Sequence, residues 1–137
     1  MHGVNRVILV GRLGRDPDLR FTANGSPITT TTLATTDRFR NKDHEWQEHT
    51  EWHRLNFVGK RAELAKSLLT KGRQLYVEGT IYHNRYQDKL GIKRTTLEII
   101  VRKFLLLGDE PFPEKPDGRR DNELLQELEE IYNNIPF

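Results

Sequence analysis

Two histidines stand four residues apart in His49-Thr50-Glu51-Trp52-His53, with a carboxylate between them, and this is the stretch most able to hold a metal. On a helix such histidines would share one face about a turn apart and could ligate one zinc ion. The flanking residues argue for a strand: His53, Leu55 and Phe57 alternate with Trp52, Arg54, Asn56 and Val58, a period of two. At about 3.3 Å per residue the two histidines are then roughly 13 Å apart, too far for ligand bonds near 2 Å to share an ion. The glutamate is also third in the stretch, where the two-histidine zinc motif carries its general base second. No metal and no cofactor are expected. The enzymatic rival is a metal-dependent hydrolase built on His44, His49, His53, Glu45, Glu48 and Glu51, and its mark would be stoichiometric metal in the purified protein.

The elements around this strand decide what its second face meets. At 137 residues, the chain is one domain's worth. It has no window of about eighteen apolar residues and no apolar signal region, so a soluble, cytoplasmic protein without membrane contact is expected. The absence of cysteine removes disulfides, thiol nucleophiles and thiolate metal sites. A net charge of +2 conceals an asymmetry at Gly108: residues 1–108 hold 19 Lys and Arg against 11 Asp and Glu (+8), and residues 109–137 hold 3 against 9 (−6). A basic body with an acidic tail points to a polyanionic partner for the body and a separate role for the tail.

Val4 to Gly14 is β-branched and alternating, with a bend or bulge expected at Gly11 or Gly14. Asp16-Pro17 turns the chain into Leu19–Thr22, Asn24-Gly25 is a hairpin signal, and the threonine-rich run Pro27–Thr36 suits a pleated surface. Residues 37–50 are nearly all polar and read as a long loop or finger. Lys60 to Lys71 places Ala62, Leu64, Ala65, Leu68 and Leu69 at helical spacing, with Gly72 where a left-handed cap belongs. Strands follow at Gln74–Tyr86 and from about Arg94 to Leu107. This order predicts an all-β fold with one helix, a five-stranded Greek-key barrel of the oligonucleotide-binding type with the helix plugging one end. A small mixed α+β sheet is the alternative. Residues 109–122 carry three of the six prolines and read as a linker. Residues 123–137 read as a disordered acidic tail with an amphipathic segment that needs a partner surface.

Phe39, Trp52 and Tyr86 each sit in polar, basic company, as single-stranded nucleic acid requires, because bases stack on aromatic rings while Arg and Lys track the phosphates. The candidate phosphate contacts are Arg6, Arg12, Arg20, Arg40, Lys42, Arg54, Lys60, Lys71, Arg73, Arg85 and Arg94.

Gly3-Val-Asn-Arg-Val-Ile-Leu-Val-Gly-Arg-Leu-Gly-Arg-Asp-Pro17, Leu33-Ala-Thr35, Thr50-Glu-Trp-His-Arg54, Val58-Gly-Lys-Arg-Ala-Glu-Leu-Ala65 and Tyr76-Val-Glu-Gly79 closely resemble the bacterial single-stranded-DNA-binding proteins, as do Ile135, Pro136 and Phe137. The resemblance implies an oligonucleotide-binding barrel over residues 1–108, a homotetramer, and sequence-independent coating of single-stranded DNA in replication, recombination and repair. It implies no catalytic activity and no small-molecule substrate. It maps Phe39, Trp52 and Tyr86 onto base-stacking positions and Arg54, Lys60, Lys71 and Arg85 onto basic ones. It places His53 at a subunit interface. Two departures stand out. The family often has an aromatic where this chain has Val58, so one platform is missing or replaced by Phe57. Asn133 and Asn134 stand where the family has aspartates before Ile135, Pro136 and Phe137, the expected docking tip for replication and repair proteins. The remaining rival is a primosome-type assembly adaptor, which would lack the stacking rings.

Overall fold

A computed structural model describes residues 1–108; the linker, the acidic tail and the tip lie outside the described residues. Six strands and one helix follow in the order β1 (Val7–Leu13), β2 (Asp18–Phe21), β3 (Pro27–Arg40), β4 (Trp46–Val58), α1 (Lys60–Leu68), β5 (Gln74–Gln87) and β6 (Lys93–Leu107). The sheet order is β1-β5-β6-β4-β3-β2, and a further β1–β3 pairing closes it into a barrel. One edge of β3 is shared: its first residues pair with β2, while Leu33 and Ala34 pair with Leu13 and Arg12 of β1. The barrel is therefore five-stranded, with β1 and β2 along the same edge of β3. The all-β barrel expected from the sequence is the fold observed.

Gly11 allows the closure. A Cβ there would stand 2.1 Å from the Ala34 carbonyl oxygen, so only glycine lets β1 swing from β5 onto β3. The other join is a short parallel pairing of Arg54, Leu55 and Asn56 with Glu98, Ile99 and Ile100. Asn56 donates a 2.6 Å hydrogen bond to Glu98 across it.

Alternation fills the interior: Leu33, Leu55, Phe57, Leu75, Val77, Ile99, Val101, Phe104 and Leu106 are buried, and Phe57 meets Phe104 edge to face at 5.2 Å between ring centres. Thr29 and Thr31 are also buried. Their hydroxyls donate to the carbonyls of Ala62 and Arg15 at 2.6 and 2.8 Å, which lets a polar strand face the core. Helix α1 packs on β2, β3 and β4, burying Ala62, Leu64 and Ala65. It stops at Leu68, short of the expected Lys71, because Leu69 is extended and turns its own side chain into the core. Gly72, at φ 87°, serves the turn into β5 rather than the helix end.

The polar run 37–50 is mostly strand. β3 and β4 stay paired from Ile28↔Val58 out to Arg40↔Trp46, and the connection is a tight turn over residues 41–45. Asn41 Oδ1 accepts from the backbone N–H groups of Asp43 and Glu45, and His44 takes the left-handed conformation at φ 60°. Hydrophobic patterning fails there because a two-stranded ribbon beyond the barrel has no core to face.

Candidate nucleic-acid interface

Residues paired across neighbouring strands project to the same side of the sheet, so the register sorts every candidate by face. Leu55↔Ile99 and Thr31↔Leu55 point inward. Outward, one row runs Arg12, Ala34, Trp52. The next runs Thr32, Arg54, Glu98, Tyr82. Beyond the barrel the same side carries Asn84↔Thr96 and Tyr86↔Arg94 on the β5–β6 hairpin, and Arg38↔Glu48 and Arg40↔Trp46 on the β3–β4 hairpin.

Trp52 is 61% exposed, and its ring lies over Gly14: a Cβ at that position would come within 2.3 Å of the indole Cζ3. Gly14 hydrogen-bonds Thr32 through its backbone, so the strand pairing presses a bare backbone beneath the ring. Tyr86 and Phe39 are exposed as well. Phe39, however, pairs with Gln47, on the reverse side of the ribbon with Asp37, His49 and Glu51.

Of the basic candidates, Arg12, Arg20, Arg40, Arg54 and Arg94 fall on the outward side and are exposed. Arg12 donates to the Gly72 carbonyl at 3.0 Å, and Arg20 and Arg94 pair with Asp18 and Asp88 at 2.9 and 2.7 Å. Arg85 pairs with Thr95 on the reverse side of its hairpin. Arg6 is exposed just before β1, Lys42 in the β3–β4 turn and Lys71 between α1 and β5, and Lys60 begins α1. Arg73 is buried at 6% exposure, and this removes it from the expected phosphate contacts: a guanidinium enclosed at the barrel end cannot meet a strand in solvent. Phe57 is likewise no substitute for an aromatic at Val58, since it is wholly buried against Phe104.

Two carboxylates are fixed within this surface. At Glu98 burial pushes the carboxyl up, but hydrogen bonds from Asn56, Thr96 and Asn84 and the charge of Arg54 together hold it below the usual glutamate range. Asp88 is held low by the Arg94 guanidinium and by the backbone N–H groups of Ile92 and Leu90 in the hairpin turn. Both are therefore anionic at neutral pH, Asp88 paired with Arg94 and Glu98 facing Arg54 across the parallel strand pairing.

The histidines of the opening stretch lie on β4, as the alternation requires. His49 Nε2 stands 2.6 Å from Glu51 Oε1, and half-buried His53 Nε2 stands 2.8 Å from Thr35 Oγ1. Among the described residues no three His, Asp or Glu side chains cluster as metal ligands. Also among these residues, no helix is long and apolar enough to cross a membrane.

Sequence reasoning missed two exposed rings on the outward side. Tyr82, 49% exposed, lies beside Glu98 between Tyr86 and the barrel; Trp46, 57% exposed, lies at the tip of the other hairpin. Even spacing was the signal for both, since Tyr82 and Tyr86 are four apart and Trp46 and Trp52 six apart.

A closed five-stranded barrel, plugged by one helix and carrying aromatic and basic side chains outward across adjoining strands, is an oligonucleotide-binding barrel. The chain belongs to the Single-strand binding protein family, which it matches over residues 4–107. It is 46% identical over 106 residues to a single-stranded DNA-binding protein of Xylella fastidiosa strain Temecula1, covering 77% of this chain and 65% of that one. It is 39% identical over 133 residues to single-stranded DNA-binding protein 1 of X. fastidiosa strain 9a5c, covering 96% and 98% of the two chains. The chain thus spans less than two thirds of the first relative's length and nearly the whole of the second. Among solved structures, the Plasmodium falciparum SSB complex with ssDNA superposes with a TM-score of 0.73 at 26% identity, covering 79% of this chain and 98% of that one. A Thermus aquaticus single-stranded DNA binding protein superposes with a TM-score of 0.68 at 30% identity, covering 77% and 51%.

Proposed function

We propose that this chain is a non-catalytic protein that binds single-stranded DNA without reading its sequence, and coats and protects it during replication, recombination and repair. The observation that carries the reading is the outward strip in which exposed Trp52 and Tyr86 alternate with Arg12, Arg54 and Arg94 on adjoining strands. Bases stack on the rings while phosphates meet the guanidiniums, and since every base has a π-face the binding is sequence-tolerant. Phe39 adds a platform where the strand crosses to the reverse side of the ribbon, and Tyr82 adds one between Tyr86 and the barrel. Lys42, Lys60, Lys71, Arg6, Arg20, Arg40 and Arg85 supply further charge. Relatives named for single-stranded DNA binding, and a similar structure described as a complex with ssDNA, support the same reading. Each stacked base contributes about 1–3 kcal/mol, so Trp52→Ala should weaken oligo-dT binding about 5- to 100-fold at an unchanged melting temperature. Undiminished affinity in both Trp52→Ala and Tyr86→Ala would remove these rings from the account.

The assembly proposed is a homotetramer. Exposed Ile8 and Val10 on β1, with Val10 beside Tyr76, form an apolar surface suited to a second copy, and His53 is assigned to a subunit contact. Ile8→Asp should lower the mass measured by sedimentation, and an unchanged mass would exclude this surface. Ile135, Pro136 and Phe137 are proposed to dock replication and repair proteins. Their deletion should abolish partner capture while DNA binding persists, and partner binding that survives the deletion would end that assignment.

A further inference from the structure

Trp46 has no place in the set of residues drawn from the sequence, and its surroundings are unusual for a ring at a hairpin tip. It is 57% exposed, more than Phe39 at 49%. Two guanidiniums lie over it, Arg40 at 4.8 Å from the ring centre and Arg38 at 5.6 Å. Arg40 is its cross-strand partner, and Arg38 is steadied by Glu48 at 3.4 Å. Trp46 and Trp52 are six residues apart on β4, so both project to the same side of the ribbon, about 20 Å from each other.

We infer that Trp46, with Arg38 and Arg40, forms a further nucleobase-stacking subsite at the tip of the β3–β4 hairpin, which extends the path of a DNA strand from Trp52 out beyond the barrel. The inference rests on the single-stranded DNA reading and adds a subsite to it. Its chemistry is that of the Trp52 site: an exposed indole for the base and arginines for the flanking phosphates. In the free protein the guanidiniums cover the ring by cation–π attraction. A base that takes their place on the indole leaves two cations beside it to meet the phosphates. Charge favours this side of the ribbon. Along its paired strands this side sets Arg38 and Arg40 against a single acid, Glu48, which is paired with Arg38, whereas the Phe39 side carries Asp37 and Glu51, the latter beside His49; Asp43 and Glu45 belong to the turn itself. A strand laid along Trp52, Arg38, Arg40 and Trp46 therefore meets rings and cations in turn.

The chain has two tryptophans, so each can be read alone in the full-length protein. In Trp52→Phe the indole of Trp46 is the sole reporter, and in Trp46→Phe that of Trp52. Both would be titrated with a long oligo-dT while DNA anisotropy is followed, and the affinity of Trp46→Ala would be measured alongside its melting temperature. The subsite requires two results together: saturable quenching of Trp46 on the same binding curve as the anisotropy, and an affinity loss of about 5- to 100-fold in Trp46→Ala at an unchanged melting temperature. A quenched Trp52 with an unresponsive Trp46, or full affinity in Trp46→Ala, overturns the subsite and leaves the wider reading intact. Silence from both indoles with no DNA bound overturns both.

Discussion

Trp52 owes its place to a residue that has no side chain. Because its ring lies over Gly14, Gly14→Ala would set a methyl 2.3 Å from Cζ3 and 2.7 Å from Thr32 Oγ1. The ring is exposed and can swing away, so the predicted outcome is a melting temperature nearly unchanged and oligo-dT affinity reduced by as much as Trp52→Ala loses. Normal affinity in Gly14→Ala would show that the position of the ring is not critical. Glu98 allows a second prediction at this scale. Its folded carboxyl lies below its unfolded value, so its contribution to stability is complete above the ordinary range of about 4 to 4.5 and is lost as pH falls through the folded value. Glu98→Gln should flatten the fall of melting temperature in that acid window, and a slope equal to that of the parent would contradict the assignment. The sequence made Trp52, Phe39 and Tyr86 visible because each stands among charges. Trp46 and Tyr82 stood among similar residues and were passed over, because which ring shares a side with which depends on register. Arg73 looked like any other surface cation, since nothing local marks a guanidinium that the barrel end will enclose.

At the scale of elements, two hairpins prolong barrel strands into solvent, and their strands run back into the core. Phe57 on β4 and Phe104 on β6 hold these strands together within the core, at the ends away from the hairpin turns. Phe57→Ala should cost about 3–5 kcal/mol of unfolding free energy, since it opens a cavity where the surroundings cannot collapse. Guanidinium denaturation would read this loss directly, and a cost under about 1 kcal/mol would contradict the placement of Phe57 in the core. The strands inside the barrel were legible because alternation reports a buried face, and the sequence left Gly11 and Gly14 as alternative bends, of which Gly11 is where β1 meets β3 too closely for a side chain. The outer half of the β3–β4 ribbon was not, because both its sides are wet and alternation carries no hydrophobic signal there. The helix was recognised by its apolar spacing. Its end was overrun by three residues, because Leu69 continues the apolar pattern while already extended toward the core.

At the scale of the whole molecule, the charge division at Gly108 and the barrel surface describe one device. A body of +8 holds the outward strip of rings, and its attraction for a polyanion must weaken with salt as counterions are released. Stacking, by contrast, demands unpaired bases. Single strands satisfy both requirements, whereas duplex DNA satisfies only the first, and that difference is what the most direct measurement exploits. Intrinsic tryptophan emission should be followed while the full-length protein is titrated with oligo-dT at two salt concentrations, with duplex DNA of equal length as the control. The account predicts strong saturable quenching by the single strand, a weaker affinity at the higher salt, and almost no quenching by duplex. Equal responses to the two forms of DNA, or no binding to the single strand at low salt, would contradict it.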